Sequence, residues 1–162
     1  MACEYIANQL QTVALNTPIV FSDSIPCRRG LIYHEDGTGV FQLRGVNNNR
    51  RRCCCCDPNT TDYQVTFNGN IAVPEGGAVG PIAIAITIGG EPIDYSRAIF
   101  TPAAVDEYGN VTSTKIVKIP CGCGCQSIAI EYVNGSVDDP AFVPTPVINV
   151  VNANLTIELD QD

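Results

Sequence analysis

Apolar and polar residues alternate with a period of two along most of the chain. The clearest run is YQVTFN at positions 63–68, in which aromatic and branched residues oppose amides and a hydroxyl. Similar runs lie at positions 13–21, 39–44, 82–88, 127–132 and 154–159, and Pro18 interrupts the first of them. Since successive side chains of a strand point to opposite faces, these runs predict half-buried β-strands, roughly eight to ten in number.

Tight-turn signals separate these runs. They are EDG at 35–37, NGN at 68–70, GG at 76–77 and 89–90, YGN at 108–110, and NG at 134–135. Short strands with turns this frequent predict an all-β fold, an antiparallel sandwich or barrel. A helix has little room. Only residues 2–12 have a spacing, with Ile6 and Leu10 on one face, that allows one or two helical turns.

The length of 162 residues predicts one domain with its own core. We divide the chain into an N-terminal arm at residues 1–10 and a sheet domain at residues 11–162. Two segments break the strand pattern and predict long loops. Residues 46–61 are polar, basic and rich in cysteine, and residues 134–146 hold three prolines and two acids.

The net charge of −8 argues against a nucleic-acid partner, because such binding depends on neutralising phosphates. Six of the nine basic residues lie between positions 28 and 52, whereas no basic residue follows position 120. This uneven distribution of charge has two interpretations. Copies of the chain could pack with the basic edge of one against the acidic edge of another, or the charges could simply belong to a solvated loop and a solvated tail.

The N-terminus lacks both a basic region and an apolar core of the signal-peptide type, and no apolar stretch approaches about 18 residues. We therefore expect synthesis in the cytoplasm without a signal peptide, and no membrane partner.

Catalytic chemistry finds little support in the residue pattern. The single histidine, His34, stands beside Glu35 and Asp36, but in HEDGTG these residues read as a solvated turn between two strands. The chain has no G-x-S-x-G, no P-loop and no dinucleotide fingerprint. We predict no catalytic residue, no cofactor-binding residue and no enzyme activity.

Nine cysteines are unusual in a chain of this size. They are Cys3, Cys27, Cys53, Cys54, Cys55, Cys56, Cys121, Cys123 and Cys125. An odd number cannot all pair within one chain. Three interpretations stay open: reduced thiols, disulfides within or between subunits with Cys53–Cys56 as the cross-linking candidates, and a soft-metal thiolate site.

The metal reading has one candidate ligand set. Cys121, Cys123 and Cys125 occupy alternate positions, which would share one strand face and could bind zinc. This spacing is not that of common zinc sites, so we favour structural thiols or disulfides and expect no cofactor.

Several motifs occur in the order and spacing of a known superfamily. They are VALNTPIVFSD, GLIYHEDGTGVFQLRG, YQVTFNGNIAV and VINVVNANLTIEL, spanning most of residues 11–159. With these motifs the chain resembles the jelly roll of complement C1q and tumour necrosis factor (TNF). It is most similar to leaderless members from gut Firmicutes and their phages, through NIAVPEGGAVGPIAIAI, TPAAVDEY and INVVNANLTIE. The chain departs from the family in its cysteine-rich insertion and in CGCGC.

The resemblance implies a two-sheet jelly roll that assembles as a homotrimer. Ala83, Ala85, Tyr63 and Phe67 are the predicted subunit-interface residues, although the small side chains opposite Ile82–Ile88 equally suit a strand inside one sandwich.

The function that we predict from this resemblance is structural. The first hypothesis is a decoration or head-fibre protein on a phage virion surface, with a capsid protein as partner. The alternatives are a spore-surface or exosporium protein, and a soluble C1q-like module that binds carbohydrate or protein.

Overall fold

The fold is described by a computed structural model that covers residues 2–25, 30–45, 60–120 and 125–160. These residues form twelve strands and one 3-10 turn at Asp94–Ser96. The strands are β1 (Ala2–Ala7), β2 (Gln11–Ala14), β3 (Asp23–Ile25), β4 (Ile32–His34), β5 (Val40–Arg44), β6 (Thr60–Ala72), β7 (Ile82–Ile88), β8 (Glu91–Pro92), β9 (Ala98–Phe100), β10 (Gly109–Pro120), β11 (Cys125–Asn134) and β12 (Val147–Leu159).

The strands build two antiparallel sheets that enclose one core. Sheet A has the order β10-β6-β12-β1-β3, with β2 also pairing with β12, and sheet B has the order β4-β5-β11-β7-β8, with β9 also pairing with β7. The predicted sandwich is thus confirmed. The strand number exceeds the prediction because β3, β4, β8 and β9 have only two or three residues, too few to show a period.

The core consists of the apolar residues that the alternation places inward. Tyr63, Val65 and Phe67 line it from sheet A, and Ile82, Ile84 and Ile86 line it from sheet B, as the sequence predicts. The intervening residues point to the outer faces: Gln64 and Thr66 are polar on β6, whereas Ala83 and Ala85 are small and apolar on β7. The sandwich therefore presents two outer surfaces, one per sheet.

The N-terminus belongs to the sandwich. Strand β1 pairs with β12 along its whole length, from Ala2 opposite Glu158 to Ala7 opposite Ala153, and Tyr5 is buried in the core. The division at residue 10 and the option of a helix at residues 2–12 are therefore wrong. Inward placement of Cys3, Tyr5 and Ala7 follows a period of two, and pairing with β12 selects the strand.

Some turns fall where the sequence places them, but the turns predicted at 68–70 and 108–110 are wrong: residues 68–70 lie inside β6, and Gly109 and Asn110 begin β10, because pairing between these two strands extends through them. Gly89 and Gly90 join β7 to β8 with φ values of 58° and 85°. A two-residue hairpin turn with positive φ at both positions favours glycine there. The segment between Asn134 and Val147 contains no strand. Of the loop predicted at residues 46–61, positions 60 and 61 belong to β6 and the rest lie outside the described residues. No helix in the described ranges is long and apolar enough to cross a membrane.

Candidate functional site

The outer face of sheet A carries a field of amide and hydroxyl side chains. We call it the amide–hydroxyl face, and it consists of Thr66, Asn68 and Asn70 on β6, Asn110, Thr112 and Thr114 on β10, and Asn154 and Thr156 on β12. The register sets these side chains in rows across the three strands. Thr66 lies between Thr114 and Thr156 in one row. None of these eight side chains is charged.

Hydrogen bonds between neighbouring strands hold these side chains in place. Asn68 Nδ2 donates to Thr112 Oγ1 at 2.7 Å, and Asn110 Nδ2 donates to Asn70 Oδ1 at 3.1 Å. Thr114 Oγ1 donates to Thr66 Oγ1 at 3.2 Å. Because the side chains are already ordered by one another, a partner that binds here loses less side-chain entropy than on an ordinary polar surface.

Charged groups border this face but do not enter its centre. Lys118 Nζ pairs with Asp62 Oδ2 at 2.6 Å at the end where β6 begins, and Glu4 accepts from Asn154 Nδ2 at 2.5 Å on the β1 side. The chain as a whole has a net charge of −8. Two copies that approach through the uncharged centre therefore meet less electrostatic repulsion than copies that approach through other surfaces.

The outer face of sheet B differs, because a small apolar cluster there is already covered. Ala83 and Ala85 form this cluster with Val133, and all three are buried. Arg97 directly precedes β9 and donates from its Nη1 to the carbonyl oxygen of Asn134 on β11 at 2.9 Å. Strand β7 lies between β9 and β11, so the Arg97 side chain crosses β7. The inner side of β7 is filled by core isoleucines, which leaves the alanine side for Arg97.

The predicted subunit-interface residues have no surface to offer a second copy. Tyr63 and Phe67 are fully buried in the core, and Ala83 and Ala85 are fully buried on the opposite side of sheet B. The interface assignment is therefore wrong for these four residues. The alanines are small because Arg97 passes over them, and the two aromatic side chains fill the space between the sheets.

The buried aromatic hydroxyls have structural partners. Tyr63 Oη donates to the Arg44 carbonyl oxygen and so links β6 of sheet A to β5 of sheet B. Burial, and in second place the negative charge of a Cys125 thiolate, raise the pKa of Tyr63 to about 12. Burial alone raises the pKa of Tyr132 to about 12, and its Oη donates to the Thr145 carbonyl oxygen at 2.6 Å. Both groups stay protonated near neutral pH and act as hydrogen-bond donors.

Glu131 is the half-buried acid of the sheet B face. It lies opposite Ala85 on the neighbouring strand. Burial raises the pKa of Glu131, and a hydrogen bond from the Thr87 side chain lowers it by less. No group of three or more metal-binding side chains surrounds it within the part of the chain that the structure describes.

His34 has a structural position rather than a catalytic one. Its ring stacks on Phe41 with the ring centroids 4.3 Å apart and contacts Tyr5 edge-on. Nε2 lies 2.9 Å from the Thr38 carbonyl oxygen, which can only accept, so Nε2 carries the proton of this bond. The side chain is 2% exposed, and Nδ1 lies 3.9 Å from Asp36 Oδ1. A buried ring without access to a substrate does not serve as an acid–base catalyst.

The cysteines fall into two groups. Cys3 is buried and disulfide-bonded, whereas Cys125 is exposed and free. Cys27, Cys53–Cys56, Cys121 and Cys123 lie outside the described residues. Of the three zinc candidates the structure describes only Cys125, so the zinc site and the cross-linking role of Cys53–Cys56 both stay predictions.

The Arg97 bridge gives a testable prediction. Replacing Arg97 with Ala is expected to lower the free energy of unfolding by about 1–3 kcal/mol, because the alanine cluster becomes exposed and the Asn134 carbonyl loses its charged donor. Urea denaturation followed by circular dichroism measures this change. Asp94→Ala is the matched control, since Asp94 pairs with Arg97 but is 87% exposed and should contribute less than about 1 kcal/mol. Equal effects of the two variants would contradict the covering role of Arg97.

Sequence reasoning missed both the amide–hydroxyl face and Arg97. The sequence does contain a signal for the amide–hydroxyl face. The outward positions of a solvated strand usually include charged residues, but the outward positions in segments 64–70 and 110–114 are all amides and hydroxyls. The sequence contains no signal for the role of Arg97. Its partner Asn134 lies 37 residues away and comes close only because β11 pairs with β7.

Comparison with known proteins relates this geometry to a fold. The globular domain of zebrafish complement 1qA protein matches with a TM-score of 0.58 and 13% identity, covering 99% of this chain and 97% of that one. The Eiger TNF from S. frugiperda matches with a TM-score of 0.59 and 9% identity, covering 100% of this chain and 94% of that one. The chain therefore has the C1q/TNF-like jelly-roll fold that the sequence predicts. No protein-family profile and no curated protein matches the sequence.

Proposed function

We propose that this protein is a non-enzymatic structural protein that assembles as a homotrimer and decorates the surface of a phage virion, as a head-decoration or head-fibre protein bound to a capsid protein. The observation that carries the proposal is the amide–hydroxyl face on a C1q/TNF-like jelly roll. Domains of this fold type typically form homotrimers. The face supplies a surface through which copies of this chain can meet.

Three properties of the face favour copies of the same chain as its occupant. It is uncharged at its centre, so identical negatively charged molecules can approach. Its side chains are ordered before contact by the bonds from Asn68 to Thr112 and from Thr114 to Thr66. Amides and hydroxyls both donate and accept, so a face of this composition can complement another copy of itself or a neighbouring edge.

A non-enzymatic role agrees with the placement of the reactive groups. His34 is packed between aromatic rings, and the raised pKa values of Tyr63 and Tyr132 belong to hydroxyls that bond carbonyl oxygens across the fold. A surface protein that assembles needs a face through which copies meet, and the amide–hydroxyl face is the candidate that supports this role.

The virion assignment rests on the sequence resemblance to proteins of gut Firmicutes phages. The test is mass spectrometry of density-purified virions from a strain that encodes the protein, with particles disrupted in denaturant. We expect the chain in the particles at a fixed ratio to the major capsid protein, and we expect its gene beside terminase, portal and capsid genes. Its absence from purified particles would overturn the virion assignment.

The spore surface is the second candidate, and one observation favours it. Cys3 is disulfide-bonded, and disulfides form and persist in oxidising environments, which a spore surface provides after release from the mother cell. Recovery of the chain from washed spores only after treatment with a reductant, combined with its absence from virions, would replace the first assignment by this one.

A further inference from the structure

Glu131 lies among apolar residues on the outer face of sheet B. The residues two positions before and after it on β11 share its face, and they are Ala129 and Val133. Across the strands, Glu131 lies opposite Ala85 of β7 on one side and forms an isolated β-bridge with Pro18 on the other. All four nearest neighbours of this acid on the outer face are therefore apolar. We call these five residues the Glu131 patch.

Exposed apolar side chains border the Glu131 patch. Val40 of β5 lies opposite Ala129 and is 41% exposed. Ile99 of β9 lies opposite Ala83 and is 53% exposed, whereas the residues on either side of Ile99 pack against the core. A half-buried acid surrounded by apolar side chains is typical of the centre of a protein interface rather than of a solvated surface.

In the described part of the chain, no cation reaches the Glu131 carboxylate. Arg97 already donates to the Asn134 carbonyl oxygen. Arg44 is the other base on this face, but it lies opposite Cys125, which is about 20 Å from Glu131 at the usual rise of a strand. Both lysines of the chain belong to β10 of sheet A. Burial raises the pKa of Glu131, as expected for a carboxyl group that lacks a cation.

We propose that the outer face of sheet B binds the capsid protein, and that the Glu131 carboxylate receives an arginine that the capsid protein presents among apolar residues. This inference rests on the proposed function, which names the partner, and it adds the surface and the recognising group. Arginine fits better than lysine for two reasons. Its guanidinium donates two parallel hydrogen bonds to a carboxylate, and it is less strongly hydrated than an ammonium group.

The Glu131 patch stays accessible in the proposed trimer. Copies meet through the amide–hydroxyl face, which belongs to sheet A on the opposite side of the sandwich. Charge complementarity selects the occupant of the patch. The same patch of a second copy carries the same charge and is repelled, whereas an arginine neutralises Glu131 while its apolar neighbours cover the surrounding residues. A trimer presents three such patches, so weak single contacts add up to firm attachment.

N-Butylguanidinium, which joins the arginine head group to an apolar tail, is the probe for this site. The carboxyl signal of Glu131 is followed by NMR in the ¹³C-labelled full chain as the pH changes. We expect the probe to lower the pKa of Glu131 and to shift the signals of Val40, because a nearby guanidinium stabilises the carboxylate. N-Butylurea has nearly the same shape without the charge and should leave the pKa unchanged. An unaltered titration of Glu131, or an equal effect of both probes, would overturn the inference.

Capsids from a phage that lacks the gene for this chain test the choice of partner. In co-sedimentation with added full-length protein, Glu131→Gln is expected to bind at least tenfold more weakly than the wild type. Glu91→Gln is the matched control, because it makes the same change at an exposed acid on β8 at one edge of sheet B, and it should bind as the wild type does. Wild-type binding by Glu131→Gln would overturn the inference and leave the virion assignment intact.

The free protein separates a binding role of Glu131 from a role in the fold. Because burial opposes ionisation of this carboxyl group, the stability that it contributes is lost as the pH rises through its raised pKa. Glu131→Gln should therefore unfold at the same or a higher urea concentration than the wild type at pH 7. Unfolding at a lower concentration would overturn the proposal, since the carboxylate would then serve the fold. Capsids that bind no wild-type protein would contradict the proposed function, and the probe titration would then decide on the arginine site by itself.

Discussion

Asn68→Arg is expected to weaken self-association by on the order of a hundredfold to a thousandfold. Asn68 lies on β6 near the centre of the amide–hydroxyl face, between Thr112 and Asn154. In a trimer built through this face, the substitution places three like charges in contact surfaces and removes the donor to Thr112. Like-charge contacts in an interface cost several kcal/mol, and each 1.4 kcal/mol is about tenfold in affinity. Sedimentation velocity over a concentration series measures the shift.

Gln42→Arg is the matched control for this substitution. Gln42 lies on β5 with its neighbours Phe41 and Leu43 buried in the core, so its side chain points to the outer face of sheet B. It adds the same charge to the opposite side of the sandwich and should leave association unchanged. A monomeric Gln42→Arg protein together with an associated Asn68→Arg protein would place the interface on sheet B.

Phe41→Ala is expected to lower the free energy of unfolding by about 3–5 kcal/mol. Phe41 is fully buried and stacks on His34 of β4. It also makes edge contacts to Tyr5 of β1 at 4.6 Å and to Phe21 at 5.7 Å between ring centroids. Its removal therefore leaves a cavity between the two sheets and also removes aromatic contacts. Since small domains are stable by about 5–15 kcal/mol, the variant should be close to unfolding near 37 °C.

The neighbouring residue provides the control for Phe41→Ala. Val40 precedes Phe41 on β5 and points outward, with its side chain exposed. Val40→Ala should change the free energy of unfolding by less than about 1 kcal/mol, because little buried area is lost. Urea denaturation of both variants compares the two values. Similar losses for both would show that the aromatic cluster does not join the sheets.

The sandwich could be predicted from the sequence because its signals are local. In segment 63–68 the polarity of each residue indicates whether its side chain points to the core or to solvent. The glycine pair at 89–90 predicts a hairpin because glycine readily adopts the positive φ values that the structure shows there. Such patterns need no knowledge of distant residues. The core residues therefore follow directly from the alternation.

The rest depends on contacts between distant parts of the chain. Strand β1 is defined by its pairing with β12, about 150 residues later, whereas residues 2–12 alone also allow a helical spacing. The alanines of β7 read as an interface until Arg97 is seen to cross them to Asn134. The amide–hydroxyl face emerges only when β6, β10 and β12 are set side by side. Periodicity gives the faces of a strand but not what covers them.

The proposed homotrimer is tested most directly by the mass of the wild-type protein in solution. Sedimentation equilibrium in reducing buffer, at micromolar concentration, determines this mass without any contribution from disulfides. The account predicts a single species of about three times the chain mass of 17.3 kDa, with Asn68→Arg at the mass of one chain. A wild-type protein that sediments as one chain across the whole concentration range would contradict it.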